Sequence, residues 1–183
     1  MVFPSAALLQ SQGIPSRSAW SYAAQLHLRM TLNAVQGLLY AGGADGSGAT
    51  LPGATAKSCL DALLDRRGPW TGGLFGFNDG DPPPADLLAA RLRASYWAAH
   101  ALLHRGYLKR ILDFNHDRRE RGRPPLQSVA SFLQAYPRGE AGPHETLNGA
   151  HRAVTAHVKA TTAFHGLGAR RFIVTNPFGL AHA

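Results

Sequence analysis

The chain has 183 residues, 45% hydrophobic and 16% charged, which is long enough to bury a core and too apolar for a disordered polyelectrolyte. Its single cysteine, Cys59, excludes an internal disulfide framework and every all-cysteine zinc site. The net charge of +8 favours acidic partners, but the arginines are scattered, and the densest run, Asp117 to Arg123, carries two acids of its own and reads as a solvated loop.

No apolar run approaches the ~18 residues of a membrane span, and the N-terminus lacks a basic region and is interrupted at Pro4, so no membrane contact and no signal peptide are predicted. Twenty glycines and twelve prolines imply helical stretches separated by irregular loops.

The first strong helix is predicted over about 18–40. Leu28, Leu32, Val35 and Leu39 recur on one face, with Trp20 and Ala24 extending the stripe upstream. Ser16 or Ser18 is the expected cap and Gly42-Gly43 the expected stop. Residues 41–53 are small and glycine-rich and read as a loop. A shorter helix is predicted from Thr55 to about Arg67, with Leu60, Leu63 and Leu64 inward, and Gly68-Pro69 ends it.

The second strong helix is predicted over about 85–114. Asp86 sits at its start, where a negative charge complements the helix dipole. Leu88, Leu92, Ser95, Ala99 and Leu102 form one face, Gly106 is read as a kink, and Leu108, Ile111 and Leu112 resume the period as far as Phe114. Residues 115–143 read as a charged insertion holding one short helix near Ser128–Gln134. The third strong helix is predicted over about 144–164, with Leu147, Ala150, Val154, His157 or Val158, and Thr161 facing inward, and Gly166 and Gly168 ending it. Phe172-Ile173-Val174 reads as a short extended piece, for which the sequence offers no partner strand. The class is all-α: one irregular multi-helix domain over 1–183 with long Gly/Pro-rich loops. Its last residues, Asn176 to Ala183, begin a fresh segment, so an incomplete domain is expected.

Candidate chemistry is sparse. His100 and His104 lie four apart on a predicted helix, as zinc-binding pairs do, but a zinc site needs a third ligand, and His-Glu-x-x-His is absent. His151, His157 and His165 have no regular helical spacing. Asp113, His116 and Asp117 cluster at the expected helix end with no nucleophile to match them. The stretch Gly48–Gly53 before Lys57-Ser58 is not a phosphate-binding loop, which needs glycine directly before the lysine and a preceding strand. Cys59 reads as an inert structural thiol. Trp20, Tyr22, Tyr40, Tyr96, Trp97 and Tyr107 read first as core and second as the lining of a small-molecule pocket. No catalytic or metal residue and no cofactor are assigned, and the chain is not expected to be an enzyme.

Three stretches carry a resemblance. Leu26-His-Leu-Arg-Met-Thr-Leu-Asn-Ala-Val-Gln-Gly-Leu-Leu-Tyr40 joins a leucine/asparagine pattern to a terminal Leu-Tyr. Asp81 to Arg105 contains Leu92-Arg-Ala-Ser-Tyr-Trp97 and leads to His104-Arg105. Ala160-Thr-Thr-Ala-Phe-His-Gly166 and Val174 to Ala183 follow in order. Together, over slightly less than half the chain, they resemble the regulatory (middle homology) region of fungal-specific zinc-cluster transcription factors. The resemblance implies a helical domain in the nucleus that sets the activity of an attached DNA-binding module through protein partners of transcription regulation or a small-molecule effector. That module holds two zinc ions with six cysteines, so this one-cysteine chain lacks it, and DNA contact is expected only through the absent module. Gly106 also stands where many members carry proline. Two other readings stay open: a small helical metal-binding protein or enzyme using His100 and His104, and a non-functional fragment.

Overall fold

The computed structural model describes residues 10–40, 58, 80–137 and 142–168. Among these residues the chain is all-α, with no strand. Helix α1 spans Ser16–Tyr40, α2 Leu87–Glu120, α3 Val129–Ala135 and α4 Pro143–Thr162. Ser58, from the expected 55–67 helix, is helical. The 41–53 loop, Cys59, Lys57 and the Phe172–Val174 piece lie outside the described residues, as do the side chains of Val35, Leu39 and Tyr40.

Helix α1 begins earlier than its periodicity indicates. The Ala19 N–H donates to the Pro15 carbonyl at 3.0 Å, so Ser16 and Ser18 stand inside the first turn instead of capping it. Its inward stripe matches the expected one where the side chains are described. Ala24 and Leu28 are buried with Leu92, Ala99 and Leu103 of α2, and Trp20, Leu32, Leu88, Ala89 and Tyr96 pack around that cluster.

Helix α2 is the spine. Asp86 caps it, its carboxylate accepting from the Ala89 N–H at 3.0 Å while pairing with Arg17 of α1 at 2.8 Å. Burial alone raises the Asp86 carboxyl. The Ala89 N–H, the Arg17 guanidinium and the Leu88 N–H outweigh it, leaving the group below its ordinary value. Two turns beyond the cap, Arg93 is buried and its guanidinium donates to the carbonyls of Asp81 (2.6 Å) and Pro82 (2.8 Å). This fork ties the proline-rich approach Asp81–Pro84 to the helix it precedes.

The expected stop at Phe114 is corrected: α2 runs unbroken through Gly106 to Glu120. Apolar periodicity ends near Phe114, but the backbone has other reasons to continue. Arg118 and Arg119 sit in the last turn, where cations complement the dipole, and Arg118 also donates to the Pro124 carbonyl at 2.9 Å. The stop is Gly122. Its φ of +65° suits glycine, and the Gly122 N–H to Arg119 carbonyl and Arg123 N–H to Arg118 carbonyl bonds, both 2.9 Å, close a Schellman motif.

The short helix of the insertion is present as α3, with Ser128 as its cap and Ser131 completing a capping box. Phe132 and Tyr136 turn back onto Phe114, with ring centroids 5.8 and 5.0 Å from it and 4.9 Å from each other. The charged stretch is therefore folded onto the end of α2 by one aromatic cluster.

The inward face of α4 is also corrected. Of the expected set, Ala150 is buried, but Val154 (49% exposed) and Val158 (56%) face out, and His157 and Thr161 are exposed. The buried stripe is Thr146, Gly149, Ala150, Ala153 and Ala156. These small residues let α4 approach α2 closely, and the α2–α4 pair forms the most extensive contact of the fold. Gly149 shows how close. A Cβ there would run into Cγ and Cδ2 of Tyr107 and sit 2.9 Å from its Cβ. Tyr107 is 1% exposed, and its hydroxyl donates to Glu145 of α4 at 3.0 Å. Beyond α4, a short 3₁₀ turn over 165–168 brings Gly166 against the Pro83 and Pro84 carbonyls, where no side chain fits. Gly166 and Gly168 thus follow the helix end as the sequence indicates.

Candidate functional site

A cleft of about 540 Å³ opens where α1, α2 and α4 meet. Its apolar floor is Leu28 and Leu32 of α1, Ala98 and Leu102 of α2, and Ala160 of α4. Ser95, Ala98 and Ala160 are short, and the gap they leave toward α1 is the cleft. The remaining lining is polar: Gln25, Arg29, Asn33 and Gln36 of α1, Ser95 of α2 and His157 of α4. The four α1 residues follow one another at intervals of four, four and three, which places them in one row along the helix beside the leucines.

Electrostatically the cleft is one-sided. Arg29 carries a guanidinium, His157 adds an imidazole, and among the described residues no carboxylate belongs to the lining. Partial burial holds the His27 imidazole, on α1 outside the lining, below the usual histidine range. Among the described residues, no hydrogen bond or ion pair engages the side chains of Gln25, Arg29, Asn33 or Gln36. The lining can therefore offer donors and positive charge to a guest with an apolar body.

The residues singled out from the sequence lie elsewhere. His100 and His104 do share a face of α2, with ring centroids 6.5 Å apart. They belong to a ladder of rings running Tyr96, Trp97, His100, His104 and Tyr107, and His104 is 2% exposed. Lys159 of α4 lies over the Trp97 ring at 4.2 Å, a cation–π contact joining the two helices. Among the described residues no three metal-ligating side chains converge, so the pair has no third ligand there. Asp113, His116 and Asp117 are exposed within the last turns of α2 instead of at its end, and Asp113 is held by Lys109. None of Trp20, Tyr22, Tyr96, Trp97 and Tyr107 lines the cleft. Trp97 and Tyr107 are buried, Trp20 and Tyr96 pack on the core, and Tyr22 is 52% exposed.

The polar row of α1 went unremarked in the sequence. Its spacing is visible there, but a row of amides and one arginine beside an apolar stripe is what an ordinary solvated helix face also presents. Comparison with protein-family models, with curated proteins and with solved structures finds no match to the chain.

Proposed function

We propose that the chain is a helical regulatory domain whose three-helix cleft receives an effector, and that it serves a fungal zinc-cluster-type transcription factor in the nucleus. The observation that carries the binding part is the cleft itself, a concave site of about 540 Å³ with an apolar floor and a one-sided polar wall. The transcriptional part rests on the resemblance alone. The two fit together because Leu26–Tyr40 and most of Asp81–Arg105 (from Leu87 on), two of the stretches that carry the resemblance, belong to the helices that line the cleft. In this reading the chain itself catalyses nothing, and DNA is reached only through a zinc-cluster module that it lacks.

The test fuses the chain to an unrelated DNA-binding domain and measures a reporter, beside an Ala98→Phe variant that fills the cleft. The expected result is a reporter output that differs from the DNA-binding domain alone and changes again in the variant. Output equal to the DNA-binding domain alone, with both fusions present in the nucleus, overturns the transcriptional reading.

A further inference from the structure

We infer that the cleft selects an amphipathic organic anion, a carboxylate on an apolar body, with Arg29 as the group that holds the charge; this rests on the reading of the cleft as an effector site. The apolar floor of Leu28, Leu32, Ala98, Leu102 and Ala160 gives a hydrocarbon body a place to leave water. Above it the lining supplies Arg29 and His157 and, among the described residues, no acid, so an anionic head group meets a charge partner on the wall and a cationic one does not. The Arg29 guanidinium is a planar fork that matches a carboxylate with two parallel hydrogen bonds, and no partner among the described residues occupies it.

Gln25 and Asn33 flank Arg29 one turn to either side in the same row, where their amides can donate to the same head group. The volume lies within the ~300–1,000 Å³ of small-molecule sites and is lined by three helices, which favours a small guest over a long segment of a partner protein. The remaining wall residues, Gln36 and Ser95, add neutral polar contacts and leave the sign of the charge preference to Arg29.

Decanoate and its uncharged counterpart decanol are titrated calorimetrically into the whole chain, into Arg29→Gln and into Ala98→Phe, each with an unchanged thermal transition. Arg29 is exposed, so its replacement leaves the core intact. The expected result is saturable one-to-one binding of decanoate, tighter than decanol, weakened ~10-fold or more by Arg29→Gln while decanol is unaffected, as loss of a charge-assisted pair predicts. Both ligands should be lost in Ala98→Phe. Equal affinity for the two ligands, or decanoate binding indifferent to Arg29→Gln, overturns the anion selectivity while loss in Ala98→Phe still supports the cleft as the site. Absence of saturable binding, or binding of both ligands that survives Ala98→Phe, overturns the site itself.

Discussion

Replacing Gly149 by alanine sets two opposed effects against each other at one point of the α2–α4 contact. In a solvated helix interior the change is stabilising by about 1 kcal/mol, because alanine loses less backbone entropy. Here the new methyl would meet Cγ and Cδ2 of Tyr107 well inside contact distance, and its Cβ at 2.9 Å. Rotation about Cα–Cβ would move Cγ and Cδ2 but leaves Cβ in place, so a change of rotamer cannot clear the contact completely. The far end is held too, since the hydroxyl donates to Glu145, one turn before Gly149 on the same helix. Relief requires α4 to move off α2, which loosens the neighbouring Ala150, Ala153 and Ala156 contacts. Overpacking of this kind costs about 1–3 kcal/mol, and pinning at both ends puts the cost near the top of that range. The net expectation is destabilisation by about 1–2 kcal/mol, a fall in Tm of roughly 2–8 °C. Urea and thermal unfolding followed by far-UV circular dichroism read it directly. Gly37→Ala on α1 is the matched control: nothing among the described residues lies within 4 Å of the added Cβ, so this variant should gain up to about 1 kcal/mol. A Gly149→Ala protein as stable as the parent, or more so, would refute the close approach of the two helices.

Removing the α2 cap in Asp86→Ala should cost about 1 kcal/mol, while Asp86→Asn, which keeps an acceptor, should cost less, because the exposed Arg17 pair contributes little. The Asp86 carboxyl is lowered in the folded state, so its charge stabilises above the unfolded value of ~4 and the benefit is lost as pH falls through the folded value. The parent's advantage over Asp86→Asn in urea midpoint should accordingly shrink on acidification, and a gap that widens at low pH would contradict the sign. Arg93→Met removes two charge-assisted bonds to the Asp81 and Pro82 carbonyls and should cost about 1.5–3 kcal/mol. Limited proteolysis should then cut more readily near Pro82, and an unchanged cleavage rate there counts against the clamp. Lys159→Ala should cost only about 0.5–1 kcal/mol through loss of the contact with Trp97, seen as a change in tryptophan fluorescence together with a small shift in midpoint.

Much of the architecture was legible because helix signals are local. Leucine spacing gave α1, the apolar run from Leu88 to Ile111 gave most of α2, and the segment near Ser128–Gln134 gave the place of α3, though not its capping box. Gly166 and Gly168 marked the end of α4, where the chain must approach the Pro83 and Pro84 carbonyls. Each of these depends on residues within a few turns of one another.

The errors fall where the outcome depends on a partner. Apolar periodicity assigned Val154 and Val158 to the inside of α4, yet they face out, because the stripe that meets α2 is made of threonine, glycine and alanine. Small side chains carry little hydrophobic signal by themselves, and their value arises only when another helix comes close enough to use the space they leave. The end of α2 was missed for a related reason, since past Phe114 the helix is held by Arg118 and Arg119 against the dipole and by the Gly122 turn instead of by an apolar face. The cleft is the extreme case. Gln25, Arg29, Asn33 and Gln36 are in register along α1 from the sequence alone, but whether that row meets solvent or forms the wall of a cavity is decided by Ser95, Ala98 and Ala160. Those residues lie on two other helices, and only the tertiary packing sets them opposite α1 with too little side chain to fill the gap.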